Sequence, residues 1–491
     1  MKMILSHFLP IFLIGGLGSL QAIESFPVTP KAFKSTRFEV EVNGQPVFVH
    51  KFKDIHYTQF PHPGGDAQIR ITPRVPYDSL RISPKARGVQ FDASDDAGSR
   101  NFVMVDPGKW VVTLNDNKRL FLFAEDTSRF EGVSKANGAL NVIDFGADST
   151  GKEFSTQAIQ RAIDEAGPGR RVRLPAGHYL SGSLNLKSGV TLWLDPGALL
   201  QAVGDPSQFD PEINGFIQVK DAENVKLAGL GTIDGSGAFL RHLTNESGRL
   251  IFIRDSLNVE VEGLILRNPR AWNTHIVRSE RVTFRDVKLV NDRDVSNTDG
   301  INPDSSRHVL IEDSFFYCGD DSVAVKSTNR DGKFLDVYDI VVRNNVMLTK
   351  KSALKVGTES HAPEMRDIRF ENNDVIECDR GMSLYARDGT HMHNIRYIDN
   401  RFEEPYPDYQ QRLIHFEIKK RNGLSRISNV LIQNCQAEVA WPETSLIRGF
   451  DEGHGISGVV IDNLVIAGEK IKSAEMANLE VGRFAEPPEF K

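Results

Sequence analysis

A chain of 491 residues with a formal net charge of −7 has room for one large repetitive domain beside a smaller one, because compact cores stop growing at about 250–300 residues unless they repeat. Hydrophobic residues make up 40% and charged residues 25%, the balance of an ordinary folded chain. The acidic excess excludes nucleic acid as the main partner, since domains that bind it are basic.

Residues 1–22 read as an export signal. Lys2 supplies the charged start, Ile4 to Gly18 is an apolar run broken by Ser6, His7 and Pro10, and Ser19-Leu20-Gln21-Ala22 offers a cleavage point. The run is short for a membrane span, which needs about 20 apolar residues. The expected location is therefore secreted or periplasmic, with a cleaved signal and no stable membrane insertion.

Residues 23–138 are expected to form a separate antiparallel β-sandwich-like domain. Phe38-Glu39-Val40-Glu41-Val42, Gln68-Ile69-Arg70-Ile71, Trp110-Val111-Val112-Thr113-Leu114 and Leu120-Phe121-Leu122-Phe123 alternate with period two, and Asn43-Gly44 and Pro107-Gly108 mark turns between them. A boundary follows near Gly138. One helix is predicted after Ser155 or Thr156 as N-cap, with Ala158, Ile159, Ala162 and Ile163 as its apolar stripe and Gly167-Pro168-Gly169 as its stop. The stripe reads as a lid over a core.

From Val172 the pattern changes. Short runs of β-branched and apolar residues flanking one polar position begin at Val225, Val259, Val282, Val309, Ile340, Ile368, Ile395, Val430 and Val459, at intervals of 23 to 35 residues. Asn224, Asn258, Asp339, Asp367, Asn394 and Asn429 precede six of them. A drifting repeat of that length, rich in strands and poor in helices, predicts an all-β solenoid over residues 139–491: a right-handed parallel β-helix whose coils bury their inward faces by stacking. A β-propeller would need a longer period, about 40–50 residues, with hairpins. Cys318, Cys378 and Cys435 sit in strand-like runs without metal-ligand spacing, and read as small core residues.

Winding gives meaning to three polar clusters. Asn297-Thr298-Asp299-Gly300, Gly319-Asp320-Asp321 and Leu354-Lys355-Val356-Gly357-Thr358-Glu359 follow successive repeat anchors, so they are expected on one outer face. Adjacent coils stand about 4.8 Å apart. Crowded carboxylates raise at least one pKa, leaving a protonated acid beside ionised ones. Glycoside hydrolysis needs that division, and carboxyl groups about 6.5–9.5 Å apart leave room for an attacking water and predict inversion. The alternative at these positions is that Asp residues cap turns. Two other functions stay open: a polysaccharide lyase in which the acids hold Ca²⁺ and Lys355 or Arg387 is the base, and a non-catalytic carbohydrate-binding protein.

The two aspartate motifs, with Gly229-Leu230-Gly231-Thr232-Ile233-Asp234-Gly235 and Asn268-Pro269-Arg270-Ala271-Trp272, resemble signature segments of glycoside hydrolase family 28, the polygalacturonases, over about residues 139 to 470. The resemblance implies a parallel β-helix, cleavage of an α-linked polysaccharide and no cofactor. It carries over Asp320 as general acid, with Asp299 and Asp321 positioning and deprotonating water. The family's Gly-His-Gly motif falls at Lys351-Ser352-Ala353, and its Arg-Ile-Lys motif at Ser383-Leu384-Tyr385-Ala386-Arg387-Asp388. The chain therefore reads as a divergent branch without the family histidine.

In place of those motifs stand Lys326, Lys350, Lys351, Lys355, Arg380 and Arg387. A cationic cluster in an acidic chain points to an anionic substrate, unless the cations only balance the acids. Lys355, Lys326 and Arg387 are the expected charged contacts. Trp272 and Tyr385, with His275, form either a sugar-stacking platform or part of the core. Glu359 is either a further acid or a turn residue.

Overall fold

The structure is a computed structural model that describes residues 22–491 except 93–97, 116, 131–137, 211, 213, 245–247, 330 and 409. The predicted export signal lies outside the described residues but for Ala22. Three long sheets dominate, of 13, 13 and 11 strands, and each of the central coils contributes one strand to each. Lys288–Val290 and Ile301–Asp304, Phe315–Cys318 and Val323–Ser327, and Val346–Thr349 and Ser352–Ser360 are the second- and third-sheet strands of three successive coils. This is the parallel β-helix expected from the repeat.

The repeat is realised residue by residue. In the first long sheet Val225, Val259, Val282, Val309, Ile340, Ile368, Ile395, Val430 and Val459 are each other's parallel partners in turn. All nine are buried in one continuous core. The residue before each lies in the left-handed region, at φ between 53° and 63°: Asn224, Asn258, Arg281, His308, Asp339, Asp367, Asn394, Asn429 and Gly458. These residues drop out of the ladder and bend the strand. Asn, Asp and Gly tolerate that conformation best, which is why polar residues precede the anchors. Arg281 occupies it without that advantage.

The helix α1 runs Thr156–Glu165 after Ser155 and buries Ala158, Ile159, Ala162 and Ile163. These residues join the first coils' core, so the stripe closes the end of the solenoid. Ser155 makes no side-chain cap bond; its hydroxyl instead accepts from Asp148 N (3.0 Å). A short second helix, Gly237–Thr244, was not expected. The three cysteines are buried and free.

Two small sheets of four and five strands precede the solenoid. Phe38, Val40, Ile69, Ile71 and Phe102 from one face Phe60, Trp110, Val112, Leu120 and Leu122 from the other in a separate core. Asn43 and Gly44, both left-handed, close the first hairpin. One expectation is corrected: the sandwich is not wholly antiparallel, because Ile55–Pro61 pairs in parallel with Lys118–Glu125. Alternation reports which face of a strand is buried and carries no information on its direction.

The sandwich docks through its Lys118–Glu125 strand. Phe121 and Phe123 point out of it onto Phe315 and Tyr317 of the second long sheet, at ring separations of 4.9–5.1 Å. Glu125 meets Lys288 (2.7 Å), both almost fully buried.

The left-handed positions yield a stability test. Asn258 is exposed and left-handed, so Asn258→Val lowers stability by about 1–2 kcal/mol through backbone strain. Arg281→Asn, at the same point one coil on, raises it by a fraction of that. Urea denaturation midpoints check both.

Candidate active site

Asp299 and Asp321 occupy corresponding turns of successive coils, where the chain passes from the second long sheet to the third. Two glycines permit the close stacking. A Cβ on Gly300 would lie 2.3 Å from Ser322 O, and one on Gly319 would lie 2.5 Å from Thr298 Oγ1 and 3.0 Å from Arg293 Cα. The Gly300 amide accordingly donates to Asp321 O (2.9 Å). The result gathers Asp299, Asp320 and Asp321 so that one oxygen of each lies within 4.8 Å of the others. That nearest-oxygen approach is no more than the spacing of about 4.8 Å between adjacent coils: Asp299 lies one coil from the other two, and Asp320 and Asp321 share one turn.

The three acids sit in different surroundings. Asp321 is buried; its Oδ2 accepts from Lys355 Nζ (2.6 Å) and its Oδ1 from Ser352 N (2.9 Å). Arg380 stands 4.0 Å away. Burial opposes ionisation, but Lys355, Arg380 and Lys326 outweigh it and hold Asp321 well below the usual carboxylate range. Asp320 is half-buried and makes no ion pair of its own among the described residues; burial, then the Asp321 charge, pushes its pKa up. Asp299 is only 2% exposed. Its Oδ2 accepts from Asn302 Nδ2 (3.0 Å) and, more distantly, Lys326 Nζ (3.4 Å). Burial, reinforced by Asp320 and Asp321, raises its pKa to about 7 despite Lys326. Two acids are thus shifted up, in keeping with the expectation of at least one.

Both predicted lysines lie at the acids. Lys326 sits between Asp299 and Glu359 (3.5 Å) with its Nζ 4.0 Å above the Trp272 ring, and burial is outweighed by the acids, which raise its pKa to about 12. Lys355 stands 5.4 Å from the Tyr385 ring, and Arg387 and Arg380 lie 5.7 and 5.9 Å from the same ring. Lys350 and Lys351 turn away, to Asp294 and Asp408. Glu359 is an ion-pair partner of Lys326 and Arg421.

The aromatic residues differ from a sugar platform. Trp272 is buried and has Lys326 and Arg249 over its ring, and its edge meets His275. His275 is bound at Nε2 to Asp304 (2.9 Å), which also accepts from Thr328 N and Oγ1. Tyr385 is buried with its hydroxyl on Gln410 and His415. These rings seat cations instead of presenting an open face. Sequence reasoning missed Asn302, which orients Asp299, and Arg293, whose backbone packs on Gly319. The position of Asn302, three residues after Asp299 in the same segment, was the only signal for it.

No helix among the described residues is long and apolar enough to cross a membrane. A family model described as glycosyl hydrolases family 28 matches residues 168–483. A probable polygalacturonase of Vitis vinifera is 28% identical over 287 residues, covering 52% of this chain and 58% of that protein. An endo-polygalacturonase of Pectobacterium carotovorum subsp. carotovorum is 33% identical over 308 residues, covering 51% of this chain and 75% of that protein. The chain thus spans between about half and three quarters of the length of these relatives. The crystal structure of a hyperthermoactive exopolygalacturonase from Thermotoga maritima shares the fold, with a TM-score of 0.58 and 22% identity over 72% of this chain and 92% of that one. The matched segment begins just after α1, runs through the coils of the solenoid and contains all three aspartates, and by that match the chain belongs to glycosyl hydrolases family 28.

Proposed function

We propose that this protein is an exported glycoside hydrolase that cleaves α-glycosidic bonds in an anionic, polygalacturonan-type polysaccharide. The observation that carries the reading is the acid trio, in which neighbouring carboxyl groups are driven to opposite protonation states. Asp320, partly open and without its own cation, donates its proton to the glycosidic oxygen. Asp321, kept ionised by Lys355, takes the proton of the attacking water. Asp299, protonated up to about pH 7, orients that water with Asn302 behind it. Attack from the side opposite the protonated oxygen inverts the anomeric carbon.

Lys355, Arg380 and Arg387, grouped around Tyr385, bring positive charge to the neighbourhood of the acids, which suits a uronate carboxylate. The chain works as an export signal over 1–22, a sandwich over 23–138 and a catalytic solenoid over 139–491. A lyase using Ca²⁺ is less well supported. Oxygens that a cation would need, Asp299 Oδ2 and Asp321 Oδ2, already face lysine ammonium groups, whose charge repels a divalent ion.

Asp320→Asn and Asp321→Asn each lower kcat on polygalacturonate by about 10²–10⁴-fold, the range for a general acid or base, with the fold kept. Reducing ends appear without the unsaturated-uronate absorbance, and the first product is the inverted anomer; unsaturated product blocked by a chelator would establish a lyase instead. The pH–rate profile has an alkaline limb at or below about pH 7, where the raised acids lose their protons. Lys355→Met moves the acidic limb upward by about one to three units, because Asp321 loses the cation that depresses it. In stability the sign is opposite to that of a salt-bridged acid. Asp299 binds its proton more tightly folded than unfolded, so its contribution is present at low pH and lost as pH rises from about 4 to 7. Asp299→Asn removes that loss, and its stability relative to the parent improves over the same window in thermal melts.

A further inference from the structure

We propose that the N-terminal sandwich is a positioning element of the acid site, acting through Lys53 and Arg119, an inference that rests on the catalytic reading of Asp299 and Asp320. The turn between Lys288–Val290 and Ile301–Asp304 carries Asp299, and the sandwich holds it at two consecutive residues, Asp292 directly and Arg293 through Glu377. Lys53 pairs with Asp292. Arg119 pairs with Glu377 (2.5 Å), whose other oxygen accepts from Arg293 (2.7 Å).

Both gripped residues lead straight to the acids. Asp292 O accepts from Thr298 Oγ1 (3.2 Å), beside Asp299. The Arg293 guanidinium lies between the rings of Tyr317 and Tyr406, at 4.9 and 4.7 Å. Its Cα packs on Gly319, which opens the turn of Asp320 and Asp321. A shift of Arg293 therefore moves both acid-bearing turns. The docking strand adds a second hold. Phe121 rests on Phe315 and Tyr317, four and two residues before Gly319. The alternate residues Arg119, Phe121, Phe123 and Glu125 all face the strands that feed the site.

Apolar contact alone would fix the sandwich to the solenoid. The ion pairs do something different. Arg119, Glu377 and Arg293 are each about nine-tenths buried in their side chains, and such pairs contribute little net stability but strongly favour one geometry. The geometry they favour is that of the turn. Reaction rate is sensitive to such placement, since a misplacement of about 1 Å costs on the order of 10²-fold. Lys53 and Arg119 pair with Asp292 and Glu377 and not with the acids, so their effect passes through Asp292 and Arg293 and falls on turnover.

The test uses the full chain with Lys53→Met, Arg119→Met, the double variant and Arg119→Lys, with Asp320→Asn as reference. It reads kcat, KM and Tm on polygalacturonate. Each single change lowers kcat about 10-fold and the double about 100-fold, with KM held within about two-fold, and Arg119→Lys recovers most of the loss. Folded variants with the parent's kcat overturn the proposal, as does a defect carried by KM alone. Lys53 is half-exposed, so Lys53→Met decides by the same criterion if Arg119→Met does not fold. Parent turnover in Asp320→Asn overturns the acid assignment itself, whereas loss there with intact turnover in the sandwich variants overturns only the positioning role.

Discussion

Parallel stacking in a single register is the constraint on which the rest of the molecule depends. Each coil repeats the side-chain placement of the one before it, so residues far apart in sequence become neighbours about 4.8 Å apart. The buried Val and Ile anchors hold that register, because a slip of one residue would turn every inward side chain outward. The left-handed residue before each anchor makes the same bend nine times. Loop insertions between strands change the interval from 23 to 35 residues without disturbing the ladder. Asp299 and Asp321 inherit their juxtaposition from this order, and Gly300 lets the two turns close to hydrogen-bonding distance.

Once the acids are stacked, the distribution of cations decides what each becomes. Asp321 has Lys355 at 2.6 Å and stays charged. Asp299 shares Lys326 with Glu359 at longer range, which is too little to offset its burial. Asp320 has no ion pair of its own among the described residues, and it is the least buried of the three. The carboxyl group left without a cation and nearest to solvent is the one suited to carry a proton to a substrate. Trp272 and Tyr385 fit the same scheme, since their faces hold lysine and arginine groups in place.

The fold was legible because its two signals are local: β-branched anchors at a drifting interval, and Asn or Asp where the backbone turns left-handed. The acid site was legible for the same reason, as short motifs that the repeat places on one face. What escaped is long-range or directional. Alternation in Ile55–Pro61 and Lys118–Glu125 marks buried faces but not that the strands run parallel. The raised pKa of Asp299 depends on how fully the turn is buried, and no residue near it in sequence reports that. Lys326 and Arg249 reach Trp272 from other coils, Glu377 meets Arg293 from 84 residues away and Arg119 from 258, and no local pattern pairs them.

The sandwich and the solenoid are held together by apolar and ionic contacts that do different things. Phenylalanine contacts supply adhesion, but they would tolerate small rotations of one unit on the other. Lys288 with Glu125, Lys109 with Asp286, and Arg119 with Glu377 are buried or nearly so, and a rotation would leave each charge without its partner. Breaking one such buried pair costs about 3–5 kcal/mol, so the ions resist sliding where the rings do not. Two of the solenoid strands that the sandwich contacts, Lys288–Val290 through the Lys288–Glu125 pair and Phe315–Cys318 through the phenylalanine rings, are the ones that lead into the acid-bearing turns. A site formed by side chains on turns needs such bracing, because a turn by itself lacks the ladder of hydrogen bonds that keeps a strand in place.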